Sequence, residues 1–147
     1  MLIEKVIHDN IINNIMQAPP ETGGLLGGIN GVVTDFEFDI YDKQNSFENS
    51  YKPNVNYFNK TIKQWLEEGV EFLGIFHSHV ENETSLSLPD RGYIRQIMAN
   101  LPDSIEKLYF PLIFPRRKML VFVAKRDGNV VKIREEKAVL LRNCKVI

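Results

Sequence analysis

The sequence predicts an α+β fold, a mostly antiparallel sheet sandwiched by helices, and three observations carry that expectation. Short apolar or alternating runs rich in β-branched and aromatic residues recur along the chain. Between them lie three segments whose apolar residues fall at the spacing of one helix face. Turn residues, Asn30-Gly31 and Arg126-Asp127-Gly128-Asn129 among them, join neighbouring runs closely enough for hairpins.

Residues 2–7 read as a short strand, and residues 8–17 place Ile11, Ile12, Ile15 and Met16 on one helical face, with Pro19-Pro20 ending the helix. The glycine-studded run from Glu21 to Gly28 pairs with the alternating stretch from Val32 to Asp42, turning at Asn30-Gly31. Its glycines imply that something approaches the backbone closely. Residues 43–56 are polar and turn-rich, so they form a loop. A helix follows from about Tyr57 to Glu68, with Phe58, Ile62, Trp65 and Leu66 as its apolar face. Glu71 to His79 reads as a buried strand, and a helix runs from Ser87 or Leu88 to Asn100, before Pro102. Strands at Tyr109–Phe114, Met119–Lys125 and Val130–Arg134 complete the chain, which carries no internal repeat.

The composition is that of a water-soluble globular protein, 147 residues with 44% apolar and 25% charged, so residues 1–147 are expected to form one domain. At this length folding hides roughly 70% of the unfolded chain's surface, enough for a core without disulfides or a structural metal. A metal found here would therefore serve chemistry. A net charge of −1 argues against nucleic acid as a partner, and the densest basic run, Arg116-Arg117-Lys118, reads as a strand-turn cap. A single cysteine, Cys144, makes no internal disulfide and no thiolate zinc cluster, which fits the cytoplasm. MLIEKVIHDN lacks the apolar core of a signal peptide, and no stretch approaches the ~18 apolar residues of a membrane span.

Two of the three histidines, His77 and His79, stand two apart at the end of a strand, where alternation turns both imidazoles to one face. Two nitrogen donors on a rigid strand are half of a zinc site, and catalytic zinc usually takes three protein ligands and a water. The bland reading is one exposed and one hydrogen-bonded strand histidine. Ser87 and Asp90 follow downstream, and a loop leading into a helix start can return the Asp90 carboxylate over the strand end. Ser87-Leu88-Pro89-Asp90 also reads as a helix cap with its acidic residue three on, and the two readings are compatible. His8 reads as a surface or helix-start residue and Trp65 as core. Glu81, Asn82 and Glu83 read as a solvated loop flanking the site, and Cys144 has no assigned role.

Glu21 before Thr-Gly-Gly-Leu-Leu-Gly-Gly, then His77-Ser78-His79, seven residues, Ser87, two residues and Asp90 together resemble the signature of the JAB/MPN, or JAMM, metalloprotease family. The order of elements extends the likeness over essentially the whole chain, and the compact prokaryotic members are the nearest in form. The resemblance implies the MPN/JAB sandwich, a cytidine-deaminase-like arrangement. It also implies Zn2+ held by His77, His79 and Asp90, Glu21 as general base toward the zinc-bound water, and Ser87 stabilising the oxyanion. It further implies hydrolysis of the amide bond after the C-terminal tail of a ubiquitin or ubiquitin-like protein, the tail adding as a strand and its small residues slipping past the glycines. MPN domains often dimerise, so a homodimer is within the same implication. The family's usual prolines after the second histidine and before the serine are Val80 and Leu86 here, so the intervening loop is expected to be more mobile. Two rivals remain: a zinc hydrolase acting on a carrier-protein adduct or another peptide, and a non-catalytic scaffold.

Overall fold

The computed structural model describes residues 1–15, 21–40, 51–79, 85–114 and 118–142. In chain order these form β1 (Leu2–Glu4), α1 (Lys5–Asn14), β2 (Gly23–Ile29), β3 (Val32–Phe38), α2 (Val55–Glu67), β4 (Glu71–Ser78), α3 (Leu88–Asn100), β5 (Lys107–Phe114), β6 (Lys118–Asp127), β7 (Val130–Glu136) and β8 (Val139–Leu141). The strands make one sheet in the order β7-β6-β5-β4-β2-β3-β1-β8. Four neighbouring pairs are antiparallel, while β1–β3, β1–β8 and β4–β5 are parallel. The fold is thus α+β as the sequence predicts, on a mixed sheet.

The parallel β4–β5 pair positions the site. Parallel neighbours need a crossover, and here α3 supplies it, so the start of α3 lies toward the end of β4. Helices cover both faces of the sheet. On one, Phe58 and Trp65 of α2 and Ile94 and Met98 of α3 close over Leu25, Ile75, Phe110 and Leu112. On the other, Ile11 and Ile15 pack with Ile3, Leu26, Val33 and Phe76. Leu25 and Leu26, like Ile75 and Phe76, enter opposite clusters because successive strand side chains alternate.

Several boundaries differ from the sequence reading. Helix α1 begins at Lys5 rather than residue 8, because the β-branched Val6-Ile7 pair yields to packing: Ile7, Ile11 and Ile15 line up at helical spacing on one cluster. Helix α2 starts at Val55, where the Asn54 side chain accepts the Tyr57 N–H and caps it. Its buried stripe is Phe58, Thr61 and Trp65 with Ile62 half-buried, whereas Leu66, expected on that face, is 68% exposed. Thr61 enters the core without an unpaired hydroxyl, since it donates to the Tyr57 carbonyl. β3 ends at Phe38, short of Asp42, and β8 is an unforeseen edge strand beside β1. The Asn30-Gly31 turn is as expected, with φ of 53° and 78° at the two positions. Met16, Pro19-Pro20, the first part of the loop called at 43–56, Val80 with Glu81, Asn82 and Glu83, Arg116-Arg117 and Cys144 lie outside the described residues. Among the described residues no helix is long and apolar enough to cross a membrane.

Candidate metal centre

The histidines are fixed by the backbone around them. His77 stands opposite Gly23 of β2 and Leu112 of β5, so its strand is held on both sides. Pairing continues past the end of β4: Ser78 N–H donates to the Thr22 carbonyl at 2.7 Å, and His79 N–H to the Ile113 carbonyl at 2.9 Å. Both imidazoles are buried, and their Nε2 atoms lie 3.2 Å apart on one face, as strand alternation requires. The Phe114 ring meets His79 edge-on at 5.8 Å. Ser78 faces the other way, fully buried, and its Oγ accepts the Thr22 N–H at 3.0 Å. That bond ties the Glu21-Thr22 segment to the histidine strand. The sequence reading used Ser78 only as a motif spacer, and its hydroxyl has no signal in sequence beyond that place.

The start of α3 brings in the carboxylate. Ser87 Oγ accepts the Asp90 N–H at 3.1 Å, and Asp90 Oδ2 accepts the Ser87 N–H at 3.0 Å. This is the expected capping box, with Pro89 in the first turn, where a missing N–H costs nothing. Leu86, in place of a family proline, is buried in the cluster under α2 and α3 and anchors the approach to the cap. The same carboxylate reaches both histidines: Oδ1 lies 3.4 Å from His77 Nε2 and Oδ2 3.3 Å from His79 Nε2. Cap and site therefore share Asp90. Glu21 approaches from the β2 side, its carboxylate and the two imidazoles offering ligand atoms all within 4.8 Å of one another.

Hydrogen bonding alone does not account for this arrangement. If each imidazole donates to one Asp90 oxygen, the two Nε2 atoms face each other at 3.2 Å with no proton between them. A cation resolves the conflict. Tetrahedral bonds of about 2.0–2.1 Å place ligand atoms about 3.3 Å apart; the two Nε2 atoms stand 3.2 Å apart, and each meets a different oxygen of Asp90, at 3.4 and 3.3 Å. The residues present thus fit a metal ion. Burial pushes the His77 imidazole below its usual value, keeping it neutral as a ligand must be. Burial alone would raise Asp90, but hydrogen bonds from the two histidines outweigh it and hold the carboxyl well below its usual range.

A family model described as prokaryotic homologs of the JAB domain matches residues 5–132. The chain belongs to that family. Solved structures like this JAB domain include a protein from Desulfitobacterium hafniense, at TM-score 0.69 and 22% identity, covering 98% of this chain and 94% of that one. A JAB1/MPN domain protein from Archaeoglobus fulgidus aligns at TM-score 0.54 and 15% identity, covering 95% and 99%. A protein from Salinibacter ruber aligns at 0.56 and 16%, covering 99% and 94%. At these identities the likeness is one of fold. No curated protein matches. JAB/MPN domains include zinc isopeptidases and non-catalytic members, so the metal centre, rather than the fold, carries the functional reading.

The remaining sequence expectations are placed as follows. His8 lies on α1, which packs on the face away from the histidine pair, and its Nδ1 meets Asp9 at 3.0 Å. Trp65 is core, its ring filling the space a Cβ on Gly27 would need. The glycines of β2 are approached closely, but by the protein's own groups: Tyr51 at Gly23, the Phe76 ring at Gly24 and Trp65 at Gly27. Tyr51, which sequence reasoning passed over, stands beside His77, and Asp39, also passed over, accepts its hydroxyl.

Proposed function

We propose that this JAB domain is a zinc-dependent peptidase that hydrolyses the amide bond after the C-terminal tail of a ubiquitin-like protein, releasing a carboxylate and an amine. One observation carries the reading: His77 and His79 present Nε2 atoms 3.2 Å apart, Asp90 sets one carboxylate oxygen against each, and Glu21 offers a ligand atom within 4.8 Å of both. Their mixed nitrogen and oxygen donors suit zinc. Zinc held there supplies positive charge that polarises a carbonyl and lowers the pKa of water.

The chain's own groups supply the rest. The Glu21 carboxylate takes a proton from the attacking water and returns it to the departing nitrogen. Ser87 Oγ accepts the Asp90 N–H, which leaves its hydroxyl proton available for the carbonyl oxygen as charge builds there. The Ser87 N–H holds the Asp90 carboxylate in place against both imidazoles. Both neighbours of β4 are occupied, so the tail reaches the centre from the strand-end side rather than by pairing with β4.

Zinc content by atomic emission tests the centre. About one zinc per chain is expected in wild type and in Glu21→Ala, with loss in His77→Ala, His79→Ala and Asp90→Ala. Loss in Glu21→Ala with retention in Asp90→Ala would move the metal to the Glu21-His77-His79 set. No zinc after metal-replete refolding would favour a scaffold. A panel of ubiquitin-like proteins carrying C-terminal extensions tests the substrate. Cleavage after the tail glycine, abolished when a bulky residue replaces it, is expected; turnover of other peptides alone would sink the ubiquitin-like assignment.

A further inference from the structure

Tyr51 lies against His77 with ring planes 17° apart and centroids 5.6 Å apart, an offset stack. Its hydroxyl donates to Asp39 Oδ2 at 2.6 Å, and the same oxygen accepts the Asn54 N–H at 3.0 Å. Asp39 N–H in turn donates to the Gly23 carbonyl at 2.8 Å, and Gly23 is the ladder partner of His77. Glycine is needed there, since a Cβ would fall 2.8 Å from two Tyr51 ring carbons and 2.2 Å from the Phe76 carbonyl oxygen. The four residues close a circuit: Gly23 to Asp39, Asp39 to Tyr51, Tyr51 to His77, and His77 back to Gly23. Among the described residues the polar contacts of the His77 ring all run through Nε2, to His79 and Asp90. The Tyr51 face lies along the ring and opposes its rotation about Cβ–Cγ. Such rotation carries Nε2 off its line to the other ligands, and a working site tolerates only about 0.5 Å of misplacement.

We propose that Tyr51, tethered by Asp39, is a positioning residue that holds the His77 imidazole in its ligating orientation. The inference rests on the reading of His77 as a metal ligand and deepens it. It makes the end of β3 and the segment before α2 part of the metal centre, although neither contributes a ligand.

The test measures zinc affinity by competition with a chromophoric chelator, together with the proton–carbon correlations of the three histidines in metal-free protein. Tyr51→Leu is expected to weaken zinc about tenfold or more, the lower end of what loss of supporting contacts costs. Tyr51→Phe keeps the stack and loses the tether, so its loss is smaller. Asp39→Asn, which retains an oxygen for the Tyr51 hydroxyl, stays near wild type, whereas Asp39→Ala weakens zinc. In the Tyr51→Leu background Asp39→Ala adds less than twofold, because its effect passes through the ring. In metal-free protein the His77 Hε1 resonance carries a ring-current shift that Tyr51→Leu removes and Tyr51→Phe keeps.

Zinc affinity of folded Tyr51→Leu within twofold of wild type overturns the proposal, as does an equal cost of Asp39→Ala in both backgrounds. Should Tyr51→Leu fail to fold, Tyr51→Phe and Asp39→Ala both release the tether, and wild-type affinity in both overturns it. A wild-type chain that takes no zinc defeats the metal reading instead. The metal-free His77 resonance then decides the stack alone, and a resonance unmoved by Tyr51→Leu overturns it.

Discussion

At the residue scale, two short side chains do more than their motif positions suggest. Ser78 ties the Glu21-Thr22 segment to the histidine strand through one hydroxyl, and Ser87 caps α3 beside Asp90. For Ser87 the structural and chemical roles separate by experiment. Ser87→Ala removes the acceptor for the Asp90 N–H, so the metal-free protein is expected to lose about 1 kcal/mol, read as a lower urea midpoint. Zinc content stays near one per chain, because Asp90 keeps its bond from the Ser87 N–H. Hydrolysis falls by about 100-fold, the scale of losing one oxyanion donor. Loss of zinc in step with activity would make Ser87 a support for Asp90 only. The histidine face and the cap at Ser87 and Asp90 were legible in sequence, because strand alternation and a capping box are local rules, whereas Glu21 entered through the family resemblance. Tyr51 and Asp39 were not, since their roles depend on contacts across 26 and 16 residues to His77 and Gly23.

At the element scale, the passage from β3 to α2 is fixed by one carboxylate. Asp39 leaves the strand, binds the Tyr51 hydroxyl, and accepts the N–H of Asn54, the cap of α2. Burial raises its carboxyl above the usual 3.8, and the hydrogen bonds from Tyr51, Asn54 and the backbone only partly offset that. A raised folded value means that stability is fully present below pH 3.8 and is lost as pH climbs through the folded value. The neutral amide introduced by Asp39→Asn does not ionise and so escapes that loss. The stability difference between Asp39→Asn and wild type should therefore move in favour of the variant from pH 3.5 to pH 6, measured by denaturant unfolding of metal-free protein; a constant difference would contradict burial as the cause. Apart from β8, element identity was readable from periodicity, but starts and stops were not. The β-branched Val6-Ile7 pair suits a strand by propensity, and only the cluster that receives Ile7 makes it helix. Leu66 was expected on the apolar face with Phe58, Ile62 and Trp65, whereas the sheet meets the stripe of Phe58, Thr61 and Trp65.

At the scale of the whole molecule, the sheet is held by two apolar clusters, one under α2 and α3 and one under α1, and neither includes His77, His79 or Asp90. The fold is therefore expected to survive loss of the ion. Chelation should leave the far-UV circular dichroism unchanged. At zinc 100-fold above Kd the bound ion adds about 2.7 kcal/mol, so chelation lowers Tm by roughly 5–10 °C. Unfolding on chelation would instead make the metal structural. The sequence by itself determined the α+β class, the hairpin turns, the histidine face and the capped helix start, because each follows from backbone periodicity or local hydrogen bonding within a few residues. Only the tertiary structure decided that α3 crosses between parallel strands, so that Asp90 returns to within 3.4 Å of both histidines. It also decided that Tyr51, Phe76 and Trp65 close on the β2 glycines. These outcomes depend on which distant surfaces bury one another, a choice made by the packing of the whole chain and written in no single segment.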